Sequence, residues 1–251
     1  MYYRGPIDYK KSKNFSNNDE CIWIVYPQGA GGDLLATIIN HHYLETGSSF
    51  FGINDRGKVI FSPTDGRLLG GKPGLNEGGV ERNGRLVLNS YIFNKQLIHD
   101  INNEIGKNTL SYNMLDMVLF SNHNWRDCVV ENILSFFKKA KIIRILPKNK
   151  NEAEIIKWLS MFKNLSKNLS FDDDIIKQVP FEKFKTNLQD ERLFEIKFHE
   201  LLNKKKFENV YTRLIKYLNL PCKLISFDFI EFWLSNQHPT IRKNLTAMES
   251  K

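Results

Sequence analysis

The chain has 251 residues, 41% of them hydrophobic and including 18 Phe and 4 Trp, enough for one large α/β domain or two small ones around a substantial core. No stretch approaches the length of a transmembrane helix, and the polar opening MYYRGPIDYKKSKNFSNNDE lacks the apolar block of a signal peptide, so a soluble, cytoplasmic protein is expected. A net charge of +8 favours anionic ligands such as nucleotides, phosphorylated or sulfated substrates, or nucleic acid, although abundant lysine also reads as plain solvation of the surface.

Cys21, Cys128 and Cys222 are far apart and out of metal-type spacing, and are read as buried thiols in a reducing compartment. His41 and His42 are adjacent and cannot share one side of a helix, so no metal site is expected.

Residues 1–20 read as a flexible polar tail and 21–251 as a single domain. CIWIVY (21–26) is a short apolar run rich in β-branched residues that stops at Pro27, the pattern of a buried strand. Residues 33–45 read as a helix, with Leu34, Leu35, Ile38, Ile39 and Tyr43 along one face and Asp33 in its first turn. Between strand and helix lies QGAGG, residues 28–32. Gly29, Gly31 and Gly32 let the backbone approach a ligand, and successive N–H groups at a helix N-terminus hold an anion without a side-chain cation. The lysine and Ser/Thr of a GxxxxGK[ST] loop are both missing. A tight strand-to-helix turn is the plainer alternative, and the Asp33 carboxylate opposes a phosphate unless it turns outward.

Residues 47–90 hold many of the glycines, with short β-like pieces KVIFS and RLVLN. They predict an irregular insertion with a hairpin or two at the domain edge, either a mobile cationic lid over the site or a passive surface hairpin. Regular alternation then resumes. Helices are expected at 91–105, 126–140, 151–165, 207–220 and 226–237, and strands at 114–122, 141–146 and 192–198. The acidic FDDD (171–174) and the KKK at 204–206 read as solvated. Strands separated by helices predict an α/β fold, a parallel sheet flanked by helices on both faces, with ligands beyond the carboxyl ends of the strands.

Two further residues stand out. His123 ends the apolar strand MVLFSN, where a neutral imidazole serves as a general base or bonds to the backbone. Arg144, flanked by isoleucines in KIIRIL, either reaches a phosphate or pairs with a carboxylate under the sheet edge.

The stretch YPQGAGGDLL resembles the 5'-phosphosulfate loop of the sulfotransferase family through Tyr26, Pro27 and Leu34, with Gln28 where the family has lysine. LFEIKFHELLNKKKFENVYTRLIKYLNL is similar to the family's later strand, acidic-leucine turn and helix, through Glu200, Leu201, Tyr217, Leu218 and Leu220. The resemblance spans about residues 21–220 and implies a P-loop NTPase-like fold and a metal-free sulfuryl transfer from 3'-phosphoadenosine 5'-phosphosulfate to a hydroxyl or amine acceptor. It implies His123 as the base and Gln28, Gly29, Ala30, Gly31, Gly32 and Asp33 around the phosphosulfate. Arg144, with Lys148 as its substitute, would then meet the nucleotide's 3'-phosphate. The alternatives are a degenerate P-loop kinase and a non-catalytic basic module for nucleic acid or protein.

Overall fold

The computed structural model describes residues 14–32, 35, 39, 51–53, 59–61, 80–82, 85–87, 93, 95–106, 118–165 and 181–219. Its strands are β1 (Glu20–Val25), β2 (Phe51–Ile53), β3 (Val59–Phe61), β4 (Val80–Arg82), β5 (Arg85–Val87), β6 (Val118–Asn122), β7 (Lys139–Leu146) and β8 (Leu193–Lys197). Its helices are α1 (Lys95–Gly106), α2 (Asp127–Phe136), α3 (Lys150–Leu165), α4 (Phe198–Leu202) and α5 (Lys204–Leu218). Gly32, Leu35 and Ile39 are also helical, at the spacing of a single helix face.

Six strands form one sheet in the order β4-β5-β6-β1-β7-β8, while β2 and β3 pair separately as an antiparallel hairpin. The α/β core is a parallel four-stranded sheet flanked by helices. β5 runs parallel to β6, with Leu86 opposite Phe120 and Val87 opposite Ser121, and β4 pairs antiparallel with β5. The expected insertion thus contributes a hairpin to the sheet edge. The β2–β3 hairpin also falls in 47–90, and the remainder of that segment, with the expected lid, lies outside the described residues, as do His41, His42, Cys222, the acidic 171–174 and the helix at 226–237. Cys21 is buried as expected, but Cys128 is exposed in the first turn of α2.

β1 and β7 are continuous apolar runs because they are central strands. Cys21–Val25 is buried throughout, as is Ile142–Leu146 apart from the chemistry of Arg144. β8, at the end of the order, is only partly buried, with Ile196 its one fully buried residue. Phe194 stacks on Tyr217 of α5 at 5.2 Å, whereas Glu195 points to the opposite face. After β1 the chain builds β4, β5 and β6 on one side and then β7 and β8 on the other, so the strand order reverses between β1 and β7. Ligands of open α/β sheets bind beyond the carboxyl ends of the strands at such a switch point. Residues 26–32 and 147–149 lie at those ends.

The chain divides into two compact units, Met1–Ile24 with Asp33–Asn122 and Cys128–Ile142, and Val25–Gly32 with His123–Asp127 and Ile143–Lys251. The first has an aromatic core. Trp23 stacks on Phe120 at 4.7 Å and meets Phe137 at 5.2 Å, and Phe15 lies 5.5 Å from Phe120. In the second, Phe207, Val210, Tyr211, Leu214, Ile215 and Leu218 form the buried stripe of α5. That helix is capped by Asn203, which accepts from the Lys206 N–H, and ended by Asn219 in the left-handed region at φ 58°.

The expected tail is packed from Phe15 onward. Phe15 is 2% exposed, and the Asn102 side-chain amide accepts from its N–H at 2.7 Å and donates to its C=O at 2.9 Å. One Phe among Asn, Ser and Lys has no periodicity to read, and its partners lie far along the chain. Phe15→Ala is expected to cost about 3–5 kcal/mol, as for other buried Phe→Ala changes, read as a lowered urea midpoint with an unchanged slope.

Candidate functional site

The loop after β1 is shaped by three glycines for two different reasons. The Ala30 N–H donates to the Pro27 C=O at 2.9 Å, closing a turn whose third residue, Gly29, has φ 93°. A positive φ at that position is the pattern of a type II turn, which favours glycine. Gly31 follows at φ 79°, a second left-handed residue with Leu201 of α4 beside it. Gly32 is different: a Cβ there would collide with the ring of Tyr26. Ala30 is buried and Gln28 exposed at the corner of the turn. Asp33 lies outside the described residues.

The Tyr26 ring is buried, and its other neighbour is His123, edge to face at 4.8 Å between ring centroids. His123 directly follows β6, which lies beside β1 in the sheet. The structure therefore brings the glycine loop and the strand-end histidine together through a single tyrosine.

Arg144 takes the carboxylate alternative. Its side chain is fully buried, with Nε donating to Glu195 Oε1 at 2.8 Å and Nη1 to Asp127 Oδ1 at 2.6 Å. Nη2 lies 2.6 Å from Glu195 Oε1, and Nη1 also reaches the Trp125 C=O at 3.3 Å. The other oxygen of Asp127 accepts from the N–H groups of Asn187 and Leu188 at 2.9 and 3.2 Å. Trp125 stacks on Phe184 at 5.0 Å, so the segment 181–188 is tied down beside His123–Asp127 by both polar and aromatic contacts. Burial pushes the Asp127 carboxyl up, but the Asn187 N–H, the Arg144 guanidinium and the Leu188 N–H together hold it below the usual carboxylate range.

Lys148 follows β7 with an exposed side chain. Its backbone N–H donates to Glu152 Oε2 at 2.8 Å, and the Glu152 N–H donates to Asn149 Oδ1 at 2.9 Å, a variant of the capping box at the start of α3. The other oxygen of Glu152 meets His199 Nδ1 of α4 at 2.9 Å. Burial lowers the His199 pKa, Glu152 opposes this, Lys206 adds to the lowering, Glu200 opposes it and Lys148 lowers it further. Among the described residues no group of His, Cys, Asp and Glu is placed to hold a metal ion, and no helix is long and apolar enough to cross a membrane.

Asp127, Glu195, Glu152 and His199 escaped the sequence reading. Asn149 and Glu152 carry the legible N-x-x-E spacing of a helix start, but nothing in the sequence pairs Glu152 with His199 or Asp127 with Arg144.

No protein-family model matches the chain, and no curated protein matches it. Among solved structures the chain is similar to a sulfotransferase domain from the curacin biosynthetic pathway, at 16% identity and a TM-score of 0.40, covering 91% of this chain and 95% of that one. It is also similar to a sulfotransferase domain from the Synechococcus PCC 7002 olefin synthase, at 11% identity and a TM-score of 0.34, covering 96% of each chain.

Two outcomes follow from the geometry. Gly32→Ala forces the Tyr26 ring to move and is expected to destabilise by about 1–3 kcal/mol in urea titration, with a change in the His123 ring environment by NMR. Asp127→Asn is expected to cost about 1–3 kcal/mol near pH 7 by leaving Arg144 half-paired. The folded pKa of Asp127 is depressed, so its stabilisation is present above the ordinary carboxylate pKa of about 4 and lost as pH falls through the folded value. Urea midpoints from pH 7 down to 3 should therefore fall less steeply in the Asn variant than in the wild type.

Proposed function

We propose that the chain is a sulfotransferase-like enzyme that moves a sulfuryl group from 3'-phosphoadenosine 5'-phosphosulfate to a hydroxyl or amine acceptor. The observation that carries this reading is the Tyr26 ring, packed against Gly32 of the anion-type loop on one side and against His123 on the other. A phosphosulfate donor fits a loop whose left-handed residues are glycine and whose next residue has no room for a side chain. The N–H groups of Gly29, Gly31 and Gly32 are assigned to the phosphosulfate oxygens, with the exposed Gln28 amide as an added donor, while the Ala30 N–H closes the turn onto the Pro27 C=O. Lys148, exposed at the end of β7, is assigned to the 3'-phosphate. Arg144 takes no ligand role in this reading, because its guanidinium is buried between two carboxylates.

His123 takes the acceptor's proton as the acceptor oxygen or nitrogen bonds to sulfur and the sulfur–oxygen bond to the 5'-phosphate breaks. The leaving group is adenosine 3',5'-bisphosphate. A magnesium–triphosphate reaction is the poorer fit, since the loop has neither the lysine nor the Ser/Thr that such a substrate needs.

Calorimetric titration with adenosine 3',5'-bisphosphate is the test. Binding that weakens in Lys148→Ala and strengthens about tenfold in Gln28→Lys is the expected result, since the new lysine adds a charge-assisted bond. Absence of binding at millimolar ligand overturns the reading. His123→Ala is expected to keep bisphosphate affinity while lowering transfer from labelled donor to a panel of phenols, alcohols and amines by about 10²–10⁴-fold.

A further inference from the structure

Glu152 is a buried carboxylate that the transfer chemistry above does not use. Its two oxygens join two segments that are far apart in sequence: Oε2 accepts from the Lys148 N–H in the turn after β7, and Oε1 meets His199 Nδ1 in α4. Asn149 fixes the same turn from its other end by capping the Glu152 N–H. The turn that carries the exposed Lys148 side chain is thus held from α4, the same short helix whose Leu201 lies beside Gly31 of the glycine loop. The charged groups facing His199 are Glu152 from α3, Lys148 from the turn, Glu200 from its own helix α4 and Lys206 from α5. A buried carboxylate so placed holds a backbone N–H and an imidazole in one geometry.

We propose that Glu152 and His199 are positioning residues for the phosphate end of the nucleotide: they hold the Lys148 turn in place, and His199 takes up a proton when an anion binds there. The inference rests on the nucleotide reading above. The electrostatic reason is direct. Burial first, and then Lys206 and Lys148, disfavour a positive charge on His199, and a phosphate dianion seated beside the lysines offsets their share. An anion that favours the imidazolium must, by linkage, bind more tightly as pH falls through the His199 titration. Glu152 Oε1, 2.9 Å from Nδ1, then pairs with the imidazolium, while Oε2 keeps the Lys148 N–H.

Adenosine 3',5'-bisphosphate is titrated calorimetrically into the full chain between pH 5.5 and 8.5, in two buffers of different ionisation enthalpy so that protons taken up are counted. The wild type, His199→Gln and Glu152→Gln are compared. The phosphates of the ligand also titrate near pH 6, and that contribution is common to all three proteins. The wild type is expected to take up more protons on binding than His199→Gln does, by a margin of up to one, with the two affinities converging at pH 8.5. Glu152→Gln is expected to bind about tenfold more weakly across the range, as the Lys148 turn loses its charged acceptor. Equal proton uptake in the wild type and His199→Gln, with binding intact, overturns this inference and leaves the nucleotide reading standing. No binding by the wild type at any pH overturns both. Should His199→Gln fail to fold, the His199 ring of the wild type is titrated by NMR with and without the bisphosphate. A ligand-induced rise in its pKa supports the proposal, and an unchanged titration overturns it.

Discussion

A tyrosine ring sets the terms for the candidate site. Tyr26 is the first residue after β1, and burial of its ring fixes both what can follow it and what can stand next to it. Because the ring fills the space where a Cβ at position 32 would lie, the chain must carry glycine where it turns into the helix. Because the same ring meets His123 edge to face, His123 has a set place beside the glycine loop. Packed interiors pass on such constraints because they have no slack. The left-handed glycines at 29 and 31 then complete a loop whose shape is decided by the backbone.

The second constraint is a buried charge. Arg144 lies between isoleucines in the buried half of β7, with its guanidinium removed from water. Isolating such a charge is costly, and pairing it at both ends offsets the cost without creating much net stability. What the arrangement supplies is placement. Asp127 holds Arg144 with one oxygen and the backbone of Asn187 and Leu188 with the other, so the 181–188 segment and the start of α2 share one anchor. Glu195 does the same for β8 from the opposite side of the guanidinium, with Thr186 Oγ1 donating to it at 3.3 Å. Glu152 repeats the device on a smaller scale between the Lys148 turn and α4. In both networks a carboxylate uses its two oxygens to join segments distant in the chain.

The order of strands brings these local features to one end of the sheet. With β1 in the middle and β6 and β7 on either side, the loops after β1 and β7 come to the same end of the sheet at the point where the strand order reverses. The loop after β6 is next to them. None of these three loops is close to the others in sequence.

The amino-acid sequence by itself determined the α/β class, the central strands and the helices expected at 126–140, 151–165 and 207–220, although the first of these stops at Phe136 and Lys139–Ala140 already belong to β7. Continuous apolar runs ending at Pro or Gly, and apolar residues at helical spacing, are local signals that need no partner to be read. It also marked residues 28–32 as a backbone-shaped glycine loop and His123 as a strand-end imidazole, since glycine content and strand ends are likewise local. The tertiary structure alone decided what Phe15, Arg144, Glu152 and His199 do. Phe15 is buried by Asn102 and Phe120, Arg144 is claimed by Asp127 and Glu195, and Glu152 is paired with His199. Each depends on a contact between residues tens of positions apart, and a side chain's charge or polarity says what kind of partner it needs but not where along the chain that partner will be.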